Sequence, residues 1–430
     1  MTLIQFYYGK VFPLAAAYLT HGLEKEKIPF EIKFINAYSH QEIIADILYL
    51  YMRNSADIIA IGCFSDMLPH VLTTAKRIKQ LFPEKIIILG GIGPTAVAED
   101  ILDGFDGIDF IIKGCGISTL PQLIRKIETK PLVFGGISRL VEEEGKTNPK
   151  IPAYRRIKDV LSFHTFLLKT SVGCPYQCTF CYALPAVGKK VIYRNLDEVI
   201  EEIKLIKEIT KGRKVSLNII DEAFVMDRSR VMAFCGLLRQ RRLKVPWVCY
   251  GRVNSMDEAL LRVMRTAGCV GVYYGIESGS NRVLKKIKKG FTIEEAIRIA
   301  LLSKKIIPDI TASFMYRFPF ETTDDFKATI SAMRYLKANN IVTQLHPLVP
   351  VKSSKIYSTY SNRLKFSPLE RCDYIRIKKH AHFTVGSVSS LPKAYRTLIK
   401  DYPDVFYDYR YYENEDLGRI NRLISESHIF

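Results

Sequence analysis

The stretch of sequence that decides the fold is Thr170-Ser171-Val172-Gly173-Cys174-Pro175-Tyr176-Gln177-Cys178-Thr179-Phe180-Cys181-Tyr182. It begins inside a run that we predict to be a strand, and it spaces three cysteines as Cys-x-x-x-Cys-x-x-Cys. Thiolates are natural ligands of iron–sulfur clusters, and a tight loop can bring three of them onto three corners of a cubane. The fourth iron then lacks a nearby protein ligand and is free to bind a substrate or cofactor. We therefore predict that Cys174, Cys178 and Cys181 hold one 4Fe–4S cluster.

A structural zinc loop is the competing interpretation of the same cysteines. Structural zinc sites are almost always built from four protein ligands. No second Cys-x-x-Cys pair follows, and the nearest histidine, His164, lies upstream across the predicted strand. The spacing favours the iron–sulfur cluster.

From Phe166 onward, the sequence alternates between predicted strands and predicted helices. Six strand–helix repeats suit an open, partial (β/α)6 barrel, which we place at residues 166–350, better than a closed barrel of eight. The predicted strands are Phe166–Val172, Val215–Ile220, Pro246–Arg252, Gly271–Ile276, Ile310–Tyr316 and Thr343–Leu348.

The first 130 residues alternate in the same way with a shorter spacing. Short β-rich runs separated by helix-length segments predict βαβ units and a parallel sheet, so we expect an α/β, Rossmann-like domain at residues 1–130. Residues 131–165 are irregular and are predicted to be a linker that could contain a small hairpin. Residues 351–430 are rich in Tyr, Lys and Arg and are predicted to be a C-terminal cap or extension. The predicted N-terminal strands are Leu3–Tyr8, Phe30–Ile35, Asp57–Gly62, Lys85–Gly90 and Asp109–Lys113.

Composition excludes several classes of protein. With 48% hydrophobic and 25% charged residues, the chain is neither disordered nor fibrous. Its net charge of +19 is explained either by an anionic partner or by basic residues on solvated faces. Because lysines and arginines are spread along the chain, we favour the second explanation and expect no nucleic-acid partner. No apolar run could span a bilayer and no secretion signal is present, so we expect no membrane span and a cytoplasmic location.

The cysteine motif, with the aromatic Phe180 before its third cysteine, resembles the signature of the radical S-adenosylmethionine (SAM) superfamily. In that family the open iron binds the amino and carboxylate groups of SAM. One electron from the cluster then cleaves SAM to a 5′-deoxyadenosyl radical, which abstracts hydrogen from the substrate. The resemblance implies a 4Fe–4S cluster and SAM as cofactors.

Residues at later predicted strand ends extend this resemblance. It implies that Asp221 and Glu222 contact the methionine amine of SAM and that Arg252 pairs with a carboxylate. Glu277, in a Gly-Ile-Glu-Ser-Gly segment, would reach the ribose hydroxyls or the amine. A turn near Pro319 resembles Gly-x-Pro-Gly-Glu-Thr, but Arg317 and Phe320 replace its glycines and leave its backbone geometry open.

The N-terminal half resembles the cobalamin-binding domain that precedes the barrel in one large class of radical SAM enzymes. The matching stretches are Pro13–Leu19, Ile61–Ser65, Leu89–Thr95 and Lys113–Gly116. Glycines after a strand let a ligand approach the backbone at the sheet edge, so the resemblance implies cobalamin contacts at Ser65, Gly90 and Gly91. Cobalamin proteins often carry a cobalt-binding histidine in Asp-x-His-x-x-Gly after the first strand, which this chain lacks. His70 is a second candidate for facing the corrin, or else a histidine in a helix turn with no ligand.

By resemblance, the leading hypothesis is a cobalamin-dependent radical SAM methyltransferase. One SAM would methylate cob(I)alamin, and a second would generate the substrate radical that accepts the methyl group, on an unactivated carbon or on phosphorus. One alternative keeps the cofactors but catalyses rearrangement, cyclisation or dehydration. An alternative of another class is an iron–sulfur protein that binds nucleic acid. Methylthiotransferases need a second three-cysteine cluster, for which Cys63 and Cys115 supply two residues at most. We expect a small-molecule or peptide substrate and an external electron donor of the flavodoxin or ferredoxin type.

Overall fold

The computed structural model describes residues 1–37, 44–114, 116–129, 140–142, 152–157, 160–181, 188–222, 224–366, 393–406 and 410–426. The chain divides into two compact units. Unit 1 comprises residues 1–167, 205–214 and 391–407, and unit 2 comprises residues 168–204, 215–390 and 408–430.

Unit 1 is built on a parallel sheet of six strands in the order β2-β1-β3-β4-β5-β6. This confirms the Rossmann-like prediction, with one difference. The last strand lies inside the predicted linker, where three residues are too short a run to be distinguished by pattern. The strands are β1 (Thr2–Tyr7), β2 (Glu31–Asn36), β3 (Ile58–Gly62), β4 (Ile86–Gly90), β5 (Phe110–Lys113) and β6 (Leu140–Glu142).

Helices connect these strands, and the central strand β4 is apolar along its length. Ile87, Ile88 and Leu89 are all buried, as expected for a parallel strand whose two faces are both covered. The helices are α1 (Leu14–Lys25), α2 (Ile44–Arg53), α3 (Leu68–Leu81), α4 (Ile92–Ala96), α5 (Ala98–Gly104) and α6 (Thr119–Thr129).

A second sheet contains the six strands of the predicted barrel, in the order β14-β13-β12-β11-β10-β7. Strands β10 to β14 pair in parallel, and β7 and β14 are the two edges, so the barrel is open. The first barrel strand is shorter than predicted, because Ser171 and Val172 belong instead to a separate antiparallel pair of strands. The strands are β7 (Thr165–Leu168), β8 (Ser171–Val172), β9 (Ile192–Tyr193), β10 (Ser216–Ile219), β11 (Trp247–Gly251), β12 (Cys269–Glu277), β13 (Asp309–Tyr316) and β14 (Val342–Pro347).

Helices pack on one face of strands β11 to β13. Trp247 packs against Phe234, and the Tyr274 hydroxyl lies 2.8 Å from Ser303 Oγ. The helices that alternate with these strands are α7 (Leu196–Ile209), α8 (Arg228–Gln240), α9 (Glu258–Thr266), α10 (Asn281–Lys286), α11 (Ile293–Ile306) and α12 (Thr323–Ala338).

The C-terminal segment is divided between the two units. Unit 2 contains α13 (Lys355–Tyr360), the antiparallel pair β15 (Leu364–Phe366) and β16 (Arg410–Tyr412), and α15 (Leu417–Glu426). Unit 1 contains α14 (Lys393–Asp401), whose Tyr395 contacts His70. Within the described ranges, none of these helices has the length and apolar character needed to cross a membrane.

A tight glycine contact gives a test of the packing in unit 2. A Cβ on Gly279 would lie 2.4 Å from the Ala328 carbonyl oxygen of α12, so Gly279→Ala forces backbone to shift. We expect it to lower the free energy of unfolding by about 1–3 kcal/mol. The control is Gly236→Ala on α8, where a Cβ has no neighbour within 4 Å. That change should stabilise the helix by about 0.5–1 kcal/mol. Thermal melts check both, and equal midpoints for the two variants would contradict the contact.

Candidate functional site

The three cysteines lie on one loop after β8. Backbone hydrogen bonds hold the loop, with Cys174 N donating to Gly188 O at 3.0 Å and Cys181 N to Cys178 O at 3.2 Å. Gly173 begins the loop at φ 107°, and a Cβ there would lie 2.2 Å from the Lys190 carbonyl oxygen. Only glycine therefore fits where the chain turns into the cysteine loop.

All three cysteines are partly buried, and none of them forms a disulfide. Burial raises the pKa of Cys174, and the neighbouring Cys181 and Cys178 raise that pKa further, so the three thiols lie close enough to interact. In the described part of the chain, no three His, Cys, Asp or Glu side chains form a ready set of ligands for a single metal ion.

Arg252, at the end of β11, lies against this loop. Its guanidinium carbon is 3.8 Å from the centre of the Tyr176 ring, and its Nη1 is 3.7 Å from Cys178 Sγ. A cation stacked on an aromatic ring is held in position, and here it lies beside a thiol that loses its proton when it binds a metal. The structure therefore brings Arg252 to the cysteine loop, and its predicted pairing with a carboxylate stays a prediction.

Glu277, at the end of β12, forms a buried ion pair with Lys289, with Nζ 3.2 Å from Oε1. Glu277 has φ 76°, a left-handed backbone conformation that is uncommon for a residue other than glycine. Lys289 also lies 5.7 Å from the centre of the Phe180 ring on the cysteine loop. Sequence reasoning missed Lys289, because nothing in the run Lys285–Lys289 distinguishes it from its neighbours.

Asp221 and Glu222 both hold the strand that leads into the cysteine loop. The Asp221 carboxylate accepts hydrogen bonds from Thr170 N at 2.6 Å and Ser171 Oγ at 2.7 Å. Burial raises the pKa of Asp221, and the bonds from Thr170 and Ser171 oppose that rise. Glu222 forms an ion pair with Lys169 and accepts a hydrogen bond from a backbone N–H before Cys174. Their predicted contacts with SAM stay a prediction.

The turn after β13 keeps its glycine-like backbone without glycine. Arg317 is buried and adopts φ 70°, and its backbone N–H donates to Glu321 Oε2 at 2.8 Å. Burial raises the pKa of Glu321 to about 8. Arg317 therefore adopts the left-handed backbone that a glycine would allow, and it adds a guanidinium at the carboxyl end of β13.

In unit 1, Ser65, Gly90 and Gly91 lie at the carboxyl ends of β3 and β4. Gly91 has φ 96°, and a Cβ there would lie 2.7 Å from the Cys63 carbonyl oxygen. At Gly90 a Cβ would meet nothing closer than 3.9 Å, so local packing does not require glycine. Local packing does require glycine at position 93, because a Cβ there would lie 2.6 Å from the backbone of Phe64. The sequence did not single out Gly93 as a site residue.

His70 and a tyrosine–aspartate pair occupy the same edge. The Tyr8 hydroxyl donates to Asp66 Oδ2 at 3.0 Å, and burial raises the pKa of Asp66 to about 6. Burial lowers the pKa of His70 to about 4, so the imidazole is neutral at pH 7. A neutral imidazole has a nitrogen lone pair available for a metal. Tyr8 stands in the loop after β1, where the family often places a cobalt-binding histidine.

Two family models match the chain. The radical SAM superfamily model matches residues 168–333, and the B12-binding domain model matches residues 3–124. The first match includes all three cysteines of the loop, and the second includes the carboxyl edge of the sheet in unit 1.

Some related proteins match most of the chain, and others match only part of it. An uncharacterised methyltransferase of Pyrococcus horikoshii is 26% identical, over 90% of this chain and 89% of its own length. A tRNA-2-methylthio-N(6)-dimethylallyladenosine synthase of Caldicellulosiruptor saccharolyticus is 28% identical, over 63% of this chain and 58% of its own length.

Solved structures share the fold. The methyltransferase TsrM of Kitasatospora setae, with cobalamin and a 4Fe–4S cluster bound, has a TM-score of 0.66 at 17% identity, over 86% of this chain and 78% of its own. The radical enzyme OxsB, with aqua-cobalamin and SAM bound, has a TM-score of 0.67 at 17% identity, over 99% of this chain and 66% of its own. The two matched domains make this chain a radical SAM enzyme with an N-terminal B12-binding domain, and they imply a 4Fe–4S cluster, SAM and cobalamin as its cofactors.

Proposed function

We propose that this enzyme is a methyltransferase that transfers a methyl group, by way of cobalamin, to an unactivated carbon or to phosphorus of a small-molecule or peptide substrate. The observation that carries the proposal is the three-thiol loop with Arg252 and the Glu277–Lys289 pair beside it, in a chain that also contains a B12-binding domain. The relative from P. horikoshii, which matches over nearly its whole length, is named a methyltransferase.

In this proposal each domain has its own cofactors. Residues 1–130 bind cobalamin, residues 166–350 bind the cluster and SAM, residues 131–165 link them, and residues 351–430 form the C-terminal extension. When bound, the cluster and SAM supply a carbon-centred radical, and cobalamin supplies methyl transfer.

The residues of the barrel bind and orient these groups. Cys174, Cys178 and Cys181 ligate three irons, and Gly173 and Asp221 fix the loop that presents them. Arg252 pairs with a carboxylate of the bound cofactor or substrate, held in place by the Tyr176 ring. Glu277, neutralised in part by Lys289, accepts hydrogen bonds from ribose hydroxyls or an amine.

The edge of unit 1 supplies the corrin contacts. Ser65 offers a hydroxyl, and Gly90 and Gly91 let the ligand approach the backbone after β4. The loop between β1 and α1, residues 8–13, contains no histidine, so the proposed site has no histidine ligand to cobalt from that loop. His70, with a neutral imidazole, is the candidate for facing the corrin.

A methylthiotransferase is disfavoured, although several relatives carry that function in their names. Such enzymes need a second three-cysteine cluster before the barrel. Only Cys63 and Cys115 precede Cys174 in the sequence. Cys63 is fully buried, with its pKa raised by burial, and Cys115 lies outside the described residues.

The remaining proposals concern the electron donor, nucleic acid and the location in the cell. The cluster needs one electron from outside, which a flavodoxin- or ferredoxin-type donor can supply. A basic surface would suit an acidic donor of this kind, and we propose no nucleic-acid partner and a cytoplasmic location.

The proposal is tested by anaerobic reconstitution with iron, sulfide and hydroxocobalamin, followed by desalting and an absorption spectrum. SAM and a reductant are then added, and the products are analysed by mass spectrometry. Retained corrin bands together with methylcobalamin and 5′-deoxyadenosine support the methyltransferase. Deoxyadenosine without methylcobalamin favours non-methylating radical chemistry, and the absence of both from a fully loaded sample refutes the proposal.

Replacing one cysteine of the loop should abolish the cluster. We expect Cys178→Ala to lose most of its bound iron after reconstitution and to lower deoxyadenosine formation at least about 100-fold, the typical cost of removing an essential catalytic group. The matched control is Cys235→Ala, a buried cysteine on α8, which should retain iron and activity. Iron content and deoxyadenosine are measured on both; equal iron content in the two variants would assign the cluster elsewhere.

Replacing Asp221 by asparagine should loosen the cysteine loop. The amide keeps the shape but turns one hydrogen-bond acceptor into a donor facing Thr170 and Ser171. We expect the free energy of unfolding to fall by about 1–3 kcal/mol and less iron to remain per folded protein after desalting. Asp257→Asn is the control, because Asp257 is the N-cap of α9 and asparagine caps a helix equally well. Unchanged stability and iron content in Asp221→Asn would remove the proposed positioning role.

A further inference from the structure

In the part of the chain that the structure describes, the helices that contact strands β11 to β13 pack on one face of the barrel sheet in unit 2. Side chains alternate between the two faces of a strand. Because Trp247, Tyr274 and Tyr316 pack on the helices, Tyr250, Tyr273 and Ser313 point to the opposite face. We call this the open face and define it by Asn218, Tyr250, Tyr273, Ser313 and Gln344.

Tyr250 is an exposed aromatic side chain on the open face. It lies on β11, in the interior of the sheet, and 41% of the residue is accessible to solvent. Burial raises the pKa of Tyr250, and a hydrogen bond with Asn218 opposes that rise. An exposed tyrosine in the interior of a sheet presents its aromatic ring to a molecule that reaches this face.

Hydrogen bonds hold the neighbouring ring in place. The Tyr273 hydroxyl donates to Gln344 Oε1 at 2.9 Å, and His346 Nε2 lies 3.3 Å from the same oxygen. Tyr250 packs edge-on against Tyr273, with ring centres 5.4 Å apart and an angle of 67° between the planes. The two rings are therefore ordered before any ligand arrives, which lowers the entropy cost of binding.

The side chains that define the open face are neutral. Tyr250 is level with Tyr273 and Thr311, and Ser313 is level with Gln344, and all of these side chains are neutral. The charged side chains Arg252, Glu277 and Arg317 stand at the carboxyl ends of the strands. A formal charge placed among neutral side chains would be desolvated without a partner, which is costly. The open face thus suits an uncharged group with a flat face.

We propose that the open face binds a planar, uncharged ring of the substrate, with Tyr250 as its stacking surface. This inference rests on the proposed function, because it takes the barrel of unit 2 as the site where substrate reacts. It deepens that function by naming the substrate class: molecules that carry an aromatic or conjugated ring without a charge on the ring.

Three small probes separate ring shape from charge. Benzamide is planar and neutral, cyclohexanecarboxamide is neutral and of similar size but not planar, and benzoate has the same ring with a negative charge. Binding is measured by saturation-transfer NMR on the anaerobically reconstituted full chain in saturating SAM. We expect benzamide to bind at least about fivefold more tightly than either other probe, the ratio typical of an aromatic pair.

Variants assign the binding to Tyr250. Tyr250→Ala and Tyr250→Leu should both weaken benzamide binding at least about fivefold, and the leucine keeps apolar bulk if the alanine variant folds poorly. Tyr335→Ala is the matched control, because Tyr335 is an exposed tyrosine on α12. Binding by Tyr250→Ala equal to that of Tyr335→Ala overturns the proposal, as does equal binding of benzamide and cyclohexanecarboxamide or no binding of benzamide.

Adenine is also a planar, uncharged ring, and SAM brings it to the same barrel. If SAM displaces benzamide, and Tyr250→Ala raises the KM for SAM in deoxyadenosine formation, the open face belongs to adenine and the substrate assignment is wrong. An unchanged KM for SAM together with lost benzamide binding supports it. Failure of the proposed function has a different signature: the wild-type enzyme would then form no deoxyadenosine, whatever the probes do.

Discussion

Parallel pairing of β10 to β14 is the constraint on which the site in unit 2 depends. Every strand that runs in the same direction ends at the same edge, so residues far apart in the sequence meet there. Arg252, Glu277 and Arg317 stand at the carboxyl ends of β11, β12 and β13, although helices separate them in the sequence. An antiparallel sheet would send alternate strand ends to opposite edges and would separate these groups. Strand direction therefore determines which side chains meet at this edge, and the identity of each side chain then determines the chemistry.

The strand ends were predictable from sequence because their signals are local. Six barrel strands were predicted from short apolar runs, and the cysteine motif located the loop by spacing alone. Pairing partners were not predictable in the same way. From the sequence, Asp221 is a carboxylate at a strand end, and the sequence does not show whether it contacts a cofactor or Thr170. Only the fold shows its contacts with Thr170 and Ser171. Lys289 is one lysine in a basic run until the chain brings it to Glu277. The short strand β6 has too few residues to form a pattern.

Charge is distributed unevenly within unit 2. Arg252 and Arg317 stand at the carboxyl ends of β11 and β13, and the buried Lys289 pairs with Glu277 at the end of β12, whereas the open face presents tyrosine, serine and amide groups. A buried cation is costly, and Glu277 offsets part of that cost for Lys289. The net charge of +19 did not reveal this arrangement, because a sum over the chain carries no information about position. The guanidiniums of Arg252 and Arg317 each lie over a tyrosine ring, and these positions are more informative about a ligand than the net charge is.

The division of the chain has a consequence for its biosynthesis. Unit 1 is assembled from three separate segments, the last of which ends at residue 407. Its helix α14 packs on α3 and brings Tyr395 to His70, 325 positions earlier in the chain. A ribosome that has made the first 167 residues has therefore made most of this unit but not its last helix, and the unit is completed only when the barrel strands have also been translated. Proteolysis at a single interdomain linker would likewise fail to release unit 1 intact.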